Sequence, residues 1–381
     1  MPSGGAFGGI TLVRVAGIPV RVHWTLLVVL PLFAWFIAAG TFPAPGDGAV
    51  DARGLALGGT LAVLLFVSVT LHEFGHALVA RRLGVPVSGI TLLPIGGVTS
   101  MEEDPKTPGR ELAIAAAGPL VSFALGFPIL AVALAGLVPE VTPGATRLVQ
   151  SLGFLNVVLG AFNLFVPAFP MDGGRVLRAL LAFRLPALAA TKWAARVGRV
   201  FAFAMAGVGF VTFTQGGWTL LLIAFLVYAG ATQEESSMRA KSTLGDLEVD
   251  RIMTREVALA RPDDPVHRAL DVMFETRHVV LPVADDGRPV GVVGLHDLAK
   301  VTPLERDALL VRDVMRADFA SLPLHAPAAD ALRLISREGK EPVLVLAEDG
   351  HLAGLVSRTD LVRAIDILEV DRTAGLGPSV S

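Results

Sequence analysis

Four stretches of this 381-residue chain contain no Lys, Arg, Asp or Glu: Val22 to Gly46, Leu112 to Pro139, Leu148 to Met171, and Val200 to Gln233. A fifth, Gly54 to Val79, is broken by a single such residue, Glu73. A helix needs about 20 apolar residues to cross a bilayer core. Soluble helices instead alternate an apolar face with a charged one. The last stretch is long enough for two short spans hinged at Gln215-Gly216-Gly217, which gives six spans before residue 235. The expected architecture is a polytopic α-helical membrane domain, 1–233, of about six transmembrane helices. Beyond Gln233 the composition turns charged and mixed. A polar linker is expected over 234–244, a soluble α/β module over 245–370 and a disordered tail over 371–381.

The basic residues sort by loop. Arg14 and Arg21 precede span one; Arg81, Arg82, Lys106 and Arg110 lie between spans two and three. Arg175, Arg178, Arg184, Lys192, Arg196 and Arg199 lie between spans four and five. The opposite side carries only Arg53 and Arg147. An excess of Lys and Arg marks the cytoplasmic face. The expectation is a multi-pass protein of the cell membrane with both termini cytoplasmic. The net charge of −3 is uninformative, and no basic tract points to a nucleic-acid partner. The absence of cysteine excludes disulfides, thiolate zinc sites and cysteine nucleophiles. The N-terminus does not follow a cleavable signal pattern.

Span two carries His72-Glu73-Phe74-Gly75-His76. Residues i and i+4 share a helical face, so both imidazoles can meet one metal ion, and the intervening glutamate can act as a general base. An ionisable group inside the membrane is costly and is by default a functional candidate. A catalytic zinc site uses three protein ligands. The remaining candidate is Asp172, which follows Pro167 and Pro170 and precedes Gly173-Gly174 at the end of span four, on the side of His72 and His76. The prolines interrupt the helix, and non-helical backbone at that depth is tolerated where protein buries it or where it lines a wet cavity. Val87 to Ser100 is apolar, rich in β-branched residues and too short to span. It reads as a re-entrant β-hairpin or loop. His23-Trp24 reads as interfacial, and Ala116-Ala117-Gly118-Pro119 as a helix-packing stretch without chemistry.

His72-Glu73-x-x-His76, followed by Asn163-Leu164-Phe165-Val166-Pro167-Ala168-Phe169-Pro170-Met171-Asp172-Gly173-Gly174, resembles the site-2 protease family of intramembrane zinc metalloproteases. The resemblance implies that His72, His76 and Asp172 ligate one catalytic Zn2+ and that Glu73 is the catalytic base. It also implies that Asn163 positions substrate or stabilises the oxyanion. Its spacing to the first proline is one residue longer than the family pattern, which makes Asn156 the alternative. The implied substrates are single-span or membrane-associated proteins, and the hairpin at 87–100 is implied to offer them a strand edge.

The C-terminal third repeats itself. Asp286-Gly287 matches Asp349-Gly350, Gly291 matches Gly354, and Asp297 matches Asp360. Each half, about 245–308 and 309–370, reads as strand, helix, two strands joined by an Asp-Gly turn, then helix. The repeat resembles a tandem CBS pair, which places the chain with the CBS-carrying subgroup of the family. That likeness implies binding of an adenine nucleotide (ATP, ADP or AMP) by Ser357, Thr359, Asp360 and Asp297, and a homodimer through the module. Gly294 stands where the first half would carry Ser or Thr. The rival reading is a CBS-gated transporter or channel with a structural metal site. It predicts ionisable residues spread along a pathway, whereas here they concentrate near one end of spans two and four.

Overall fold

A computed structural model describes residues 9–42, 50–94, 96–139, 144–245, 247–339 and 341–373. The chain divides after Met238 into two compact units.

The first unit opens with a hairpin absent from the sequence expectations. Strands β1 (Gly9–Val15) and β2 (Ile18–His23) pair antiparallel around Ala16-Gly17, both at positive φ. Helix α1 (Trp24–Thr41) follows at once, with the His23 ring accepting from Thr25 N–H at 3.3 Å as its N-cap. Helix α2 (Ala52–Arg82) starts on Asp51, whose Oδ1 accepts from Gly54 N–H at 2.6 Å, and ends on Arg81-Arg82. An acceptor at the N-terminus and cations at the C-terminus both suit the helix dipole. Strands β3 (Val87–Leu93) and β4 (Gly96–Met101) form the expected hairpin. Helices α3 (Pro108–Leu134), α4 (Ala145–Phe165), α5 (Asp172–Ala182), α6 (Ala187–Val211) and α7 (Trp218–Leu244) complete the unit.

Among the described residues, five helices (α1, α2, α3, α4 and α6) are long and apolar enough to cross a membrane. The sixth expected span falls on α7, which is apolar from Trp218 to Ala231 and then turns polar at Gln233-Glu234-Glu235. The hinge between α6 and α7 is a single tight turn at Phe213–Gln215, closed by Gly216 at φ +93°. The segment expected as a linker, 234–244, is the helical continuation of α7.

Without water to drive them together, membrane helices pack through small residues that let backbones approach. A side chain at Gly58 would lie 2.7 Å from the Ala34 carbonyl of α1, and one at Gly75 would lie 2.8 Å from the Ala117 carbonyl of α3. One at Gly153 would meet the α3 backbone at Leu130. These contacts bring α1 against α2, α2 against α3 and α3 against α4.

The four strands form one sheet in the order β1-β2-β3-β4, with β2 and β3 parallel and the outer pairs antiparallel. Ile18, Val20, Val22, Ile90 and Leu92 pack on Phe74 and Ala77 of α2. The sheet is therefore seated on the turn of α2 that carries the histidines, with β4 at its edge.

The second unit contains both repeats, and each expected turn is present: Asp286-Gly287 joins β5 (Val280–Asp285) to β6 (Arg288–Gly294), and Gly350 at φ +83° lies between β8 (Val343–Leu346) and β9 (Leu352–Val356). Helices α8 (Val266–Thr276) and α9 (Leu295–Leu298) flank the first hairpin. After the short helix α10 (Val311–Val314) come β7 (Ser321–Pro323), α11 (Ala328–Glu338) and, beyond β9, α12 (Arg358–Thr373). The halves exchange segments. Met253 packs in the core of the second half while Val311 and Met315 pack in that of the first. Thr254 pairs with Leu355 through both backbone bonds, at 2.9 and 3.0 Å, and Arg316 pairs with Val292 at 2.8 and 2.9 Å. The matched glycines explain themselves here, because a side chain at Gly291 would meet Met315 and one at Gly354 would meet Met253. Residues 371–373 of the expected tail end α12, and 374–381 lie outside the described residues.

Candidate metal centre

Two elements bring the donors together. On α2, His72 and His76 are one turn apart, and both are buried at 4% and 7% exposure. After α4 ends at Phe165, Val166–Met171 runs as a short irregular loop, stitched by Ala168 N–H to Val166 O at 2.8 Å and Met171 N–H to Ala168 O at 3.0 Å. Helix α5 then begins at Asp172 itself, with Met171 as N-cap. Gly173 and Gly174 lie in the first turn of α5, where side chains would strike the backbone of Leu164–Val166 and Ala168–Phe169. Their smallness lets the loop fold flat on the helix start and present Asp172.

Asp172 Oδ2 lies 3.1 Å from His72 Nε2 and 3.2 Å from His76 Nε2, and the two Nε2 atoms are 3.2 Å apart. Each histidine uses its other nitrogen on α3. His76 Nδ1 donates to the Ile114 carbonyl at 2.7 Å, and His72 Nδ1 bonds Ser122 Oγ at 2.9 Å. A carbonyl only accepts, so His76 carries its proton on Nδ1 and turns a lone pair at Nε2 toward the centre. The serine oxygen is able to accept from His72 Nδ1 in the same way. Two imidazole lone pairs and a carboxylate oxygen facing one another repel unless a cation lies between them. A circle through three atoms so spaced has a radius of about 1.8 Å, close to the usual zinc bond length of about 2.0–2.1 Å, so His72, His76 and Asp172 would be able to hold one ion between them. The donor set fits zinc.

Glu73 is buried at 8% exposure, and one ligand atom from each of His72, Glu73 and His76 falls within 4.8 Å of the others. Its Oε2 accepts from Thr99 Oγ of β4 at 2.6 Å, so one carboxylate oxygen is held from the strand. Gly118 faces the site from α3, where a side chain would lie 2.6 Å from His72 Nε2. The stretch expected to have packing value only thus also leaves room for the centre. Ile114, Gly118 and Ser122 recur at four-residue spacing, one face of α3 turned to the two imidazoles.

Asn163 does not join this group by any hydrogen bond of its own side chain, which donates to Leu159 O within α4 at 3.0 Å. Asn156 is fully buried and donates to Ser68 Oγ at 3.1 Å, one turn before His72. In the second unit Asp360 Oδ2 accepts from Ser357 N–H and Oγ–H at 2.9 and 2.6 Å, and its Oδ1 accepts from Thr254 Oγ at 3.0 Å. Asp297 Oδ2 takes the matching place, accepting from Gly294 N–H at 3.2 Å and Arg316 Nε at 3.1 Å. Thr359 lies in the first turn of α12.

Residues 60–138 and 136–205 match the model of peptidase family M50, and residues 249–303 and 311–367 match CBS domains. A zinc metalloprotease of Methanocaldococcus jannaschii is 33% identical over 95% of this chain and 97% of its own. The chain belongs to peptidase family M50. The zinc metalloprotease Rip3 of Mycobacterium tuberculosis, so named as an assignment, is 35% identical over 94% of this chain and 93% of its own. The solved site-2 protease from M. jannaschii is 39% identical and covers 60% of this chain and 95% of its own, with a TM-score of 0.44. This M50 member is a metalloprotease with a tandem CBS module.

Proposed function

We propose that this M50 protease cleaves single-span or membrane-associated proteins within the bilayer, using one zinc ion held by His72, His76 and Asp172. The observation that carries the reading is the convergence of three donor atoms at 3.1–3.2 Å, two of them on α2, a helix of membrane-spanning length, and the third at the start of α5. Zinc bound there supplies a Lewis acid that acidifies water and polarises a carbonyl oxygen. The chain's own groups do the rest. Ser122 and the Ile114 carbonyl keep both Nε2 atoms free of protons. Glu73 takes the proton from the attacking water and returns it to the leaving amine. The edge of β4 pairs with a substrate segment that has unwound, since a helical substrate hides its peptide bonds in its own hydrogen bonds.

In this reading the basic loops face the cytoplasm together with both termini, and α7 is the sixth span. The CBS module senses an adenine nucleotide, held by Ser357, Thr359 and Asp360 in the second half and by Asp297 in the first. The test is cleavage of a single-span substrate by the purified full-length chain with zinc restored. Glu73→Gln is expected to lower the rate by roughly 10²–10⁴ with zinc content unchanged. Cleavage at the wild-type rate by zinc-loaded Glu73→Gln would overturn the assignment of the base.

A further inference from the structure

We infer that Thr99 is a positioning residue for Glu73, so that the strand edge and the general base form one mechanical unit. The inference rests on the reading of Glu73 as the base.

Three contacts tie β4 to that glutamate. Thr99 Oγ–H donates to Glu73 Oε2 at 2.6 Å. The same hydroxyl lies 3.2 Å from the Glu73 main-chain oxygen. Gly97, two residues earlier and on the same side of the strand, presents bare backbone to the side chain, and a Cβ there would lie 2.9 Å from Glu73 Cδ and 3.0 Å from Oε1. A glutamate has three side-chain torsions, and on α2 alone nothing would choose among its rotamers. The hydroxyl fixes one oxygen and the glycine backbone forms a wall beside the other. Oε1 is left as the oxygen without this donor, the one free to exchange a proton with water.

Position in the sheet gives this a consequence. β4 is the terminal strand, hydrogen-bonded to β3 on one side, with all six residues half-buried. Thr99 pairs with Ile90, whose side chain is fully buried in the cluster against Phe74 and Ala77. The strand that would receive a substrate backbone is thus anchored to the helix that bears the base. A shift of β4 on pairing is passed to the Glu73 carboxylate through one hydrogen bond. Substrate register and base geometry are set together.

The hydroxyl can be removed almost isosterically. In the full-length protein, Thr99→Val is expected to lower kcat roughly ten- to a hundredfold, the worth of a hydrogen bond to a charged group. KM for a single-span substrate and zinc stoichiometry stay at wild-type values. Thr99→Ser restores kcat because the donor returns. Gly97→Ala, which crowds the same carboxylate from the other side, gives the same pattern of lowered kcat with zinc retained. Wild-type kcat in Thr99→Val, with Glu73→Gln inactive, would overturn the role of Thr99 and leave the base standing. Equal loss in Thr99→Val and Thr99→Ser, or loss of zinc in Thr99→Val, would make the residue a fold element and also overturn the inference. Full cleavage by Glu73→Gln would remove the base and the inference together.

Discussion

Each histidine of the centre is fixed at two nitrogens, one by α3 and one by the shared space with Asp172. Orientation of metal-bound imidazoles by hydrogen bonds to their second nitrogen typically governs metal affinity by about 10–100-fold. Ser122→Ala is therefore expected to weaken zinc binding by about that factor, measured by competition with a chelator, while the protein remains folded. Gly118→Ala is more severe because its methyl would enter the space beside His72 Nε2. It is expected to abolish stoichiometric zinc. Unchanged affinity in both variants would show that α3 does not orient the ligands. The pairing of His72 with His76 was legible in sequence because i, i+4 spacing fixes a shared face whatever the fold. Ser122, Gly118 and Thr99 were not. Their roles depend on which face of α3 and which strand arrive at α2, and no local pattern encodes that. The Asn163 expectation came from a motif alone, and its extra residue relative to the usual spacing coincides with a side chain bonded back into its own helix.

At the scale of elements, Asp172 depends on how α5 is held. Arg178, two turns along α5, binds Glu111 at the start of α3 and Glu234 on α7, and lies 5.3 Å over the ring of Phe169. Arg199 of α6 reaches Glu235 at 2.7 Å. The guanidinium of Arg178 is largely buried, and removing one member of such a group costs about 3–5 kcal/mol because the others stay desolvated and unpaired. Arg178→Ala should lower the apparent unfolding temperature of the detergent-purified protein and release zinc more readily. Arg333→Ala, in a half-exposed pair with Asp330 at 3.4 Å on α11, should leave both unchanged. An unfolding temperature as high for Arg178→Ala as for wild type would mean the cluster does not brace α5. Sequence reading foresaw the broken helix before Asp172 from two prolines. It did not foresee β1 and β2. Their turn is Ala16-Gly17, not the Asn-Gly or Asp-Gly pair that advertises a two-residue hairpin, and their hydrophobic residues lead straight into α1.

On the scale of the whole molecule, the repeat was legible because identical packing demands identical residues at one offset. Gly291 and Gly354 each admit the methionine of the opposite half, and Asp297 and Asp360 each bind the residue after that methionine. What differs between them is chemical. Asp360 meets Thr254 and Ser357, whereas Asp297 meets Arg316 and a backbone N–H from Gly294. The guanidinium neutralises the first carboxylate, so the second half is expected to be the stronger nucleotide site. Adenine nucleotide at 100 times its Kd should stabilise the full-length protein by about 2.7 kcal/mol, read as a rise in unfolding temperature. Asp360→Ala should remove most of that rise and Asp297→Ala little of it. No rise with ATP, ADP or AMP would leave the module a purely structural repeat.

The central claim is that two imidazoles and one carboxylate from separate helices hold a single zinc ion. X-ray absorption and metal analysis on the purified full-length chain test it directly. The account predicts one zinc per chain with nitrogen and oxygen ligands at about 2.0–2.1 Å and no sulfur, lost in His72→Ala, His76→Ala and Asp172→Ala alike. Full zinc occupancy in Asp172→Ala with an unchanged ligand shell would contradict it.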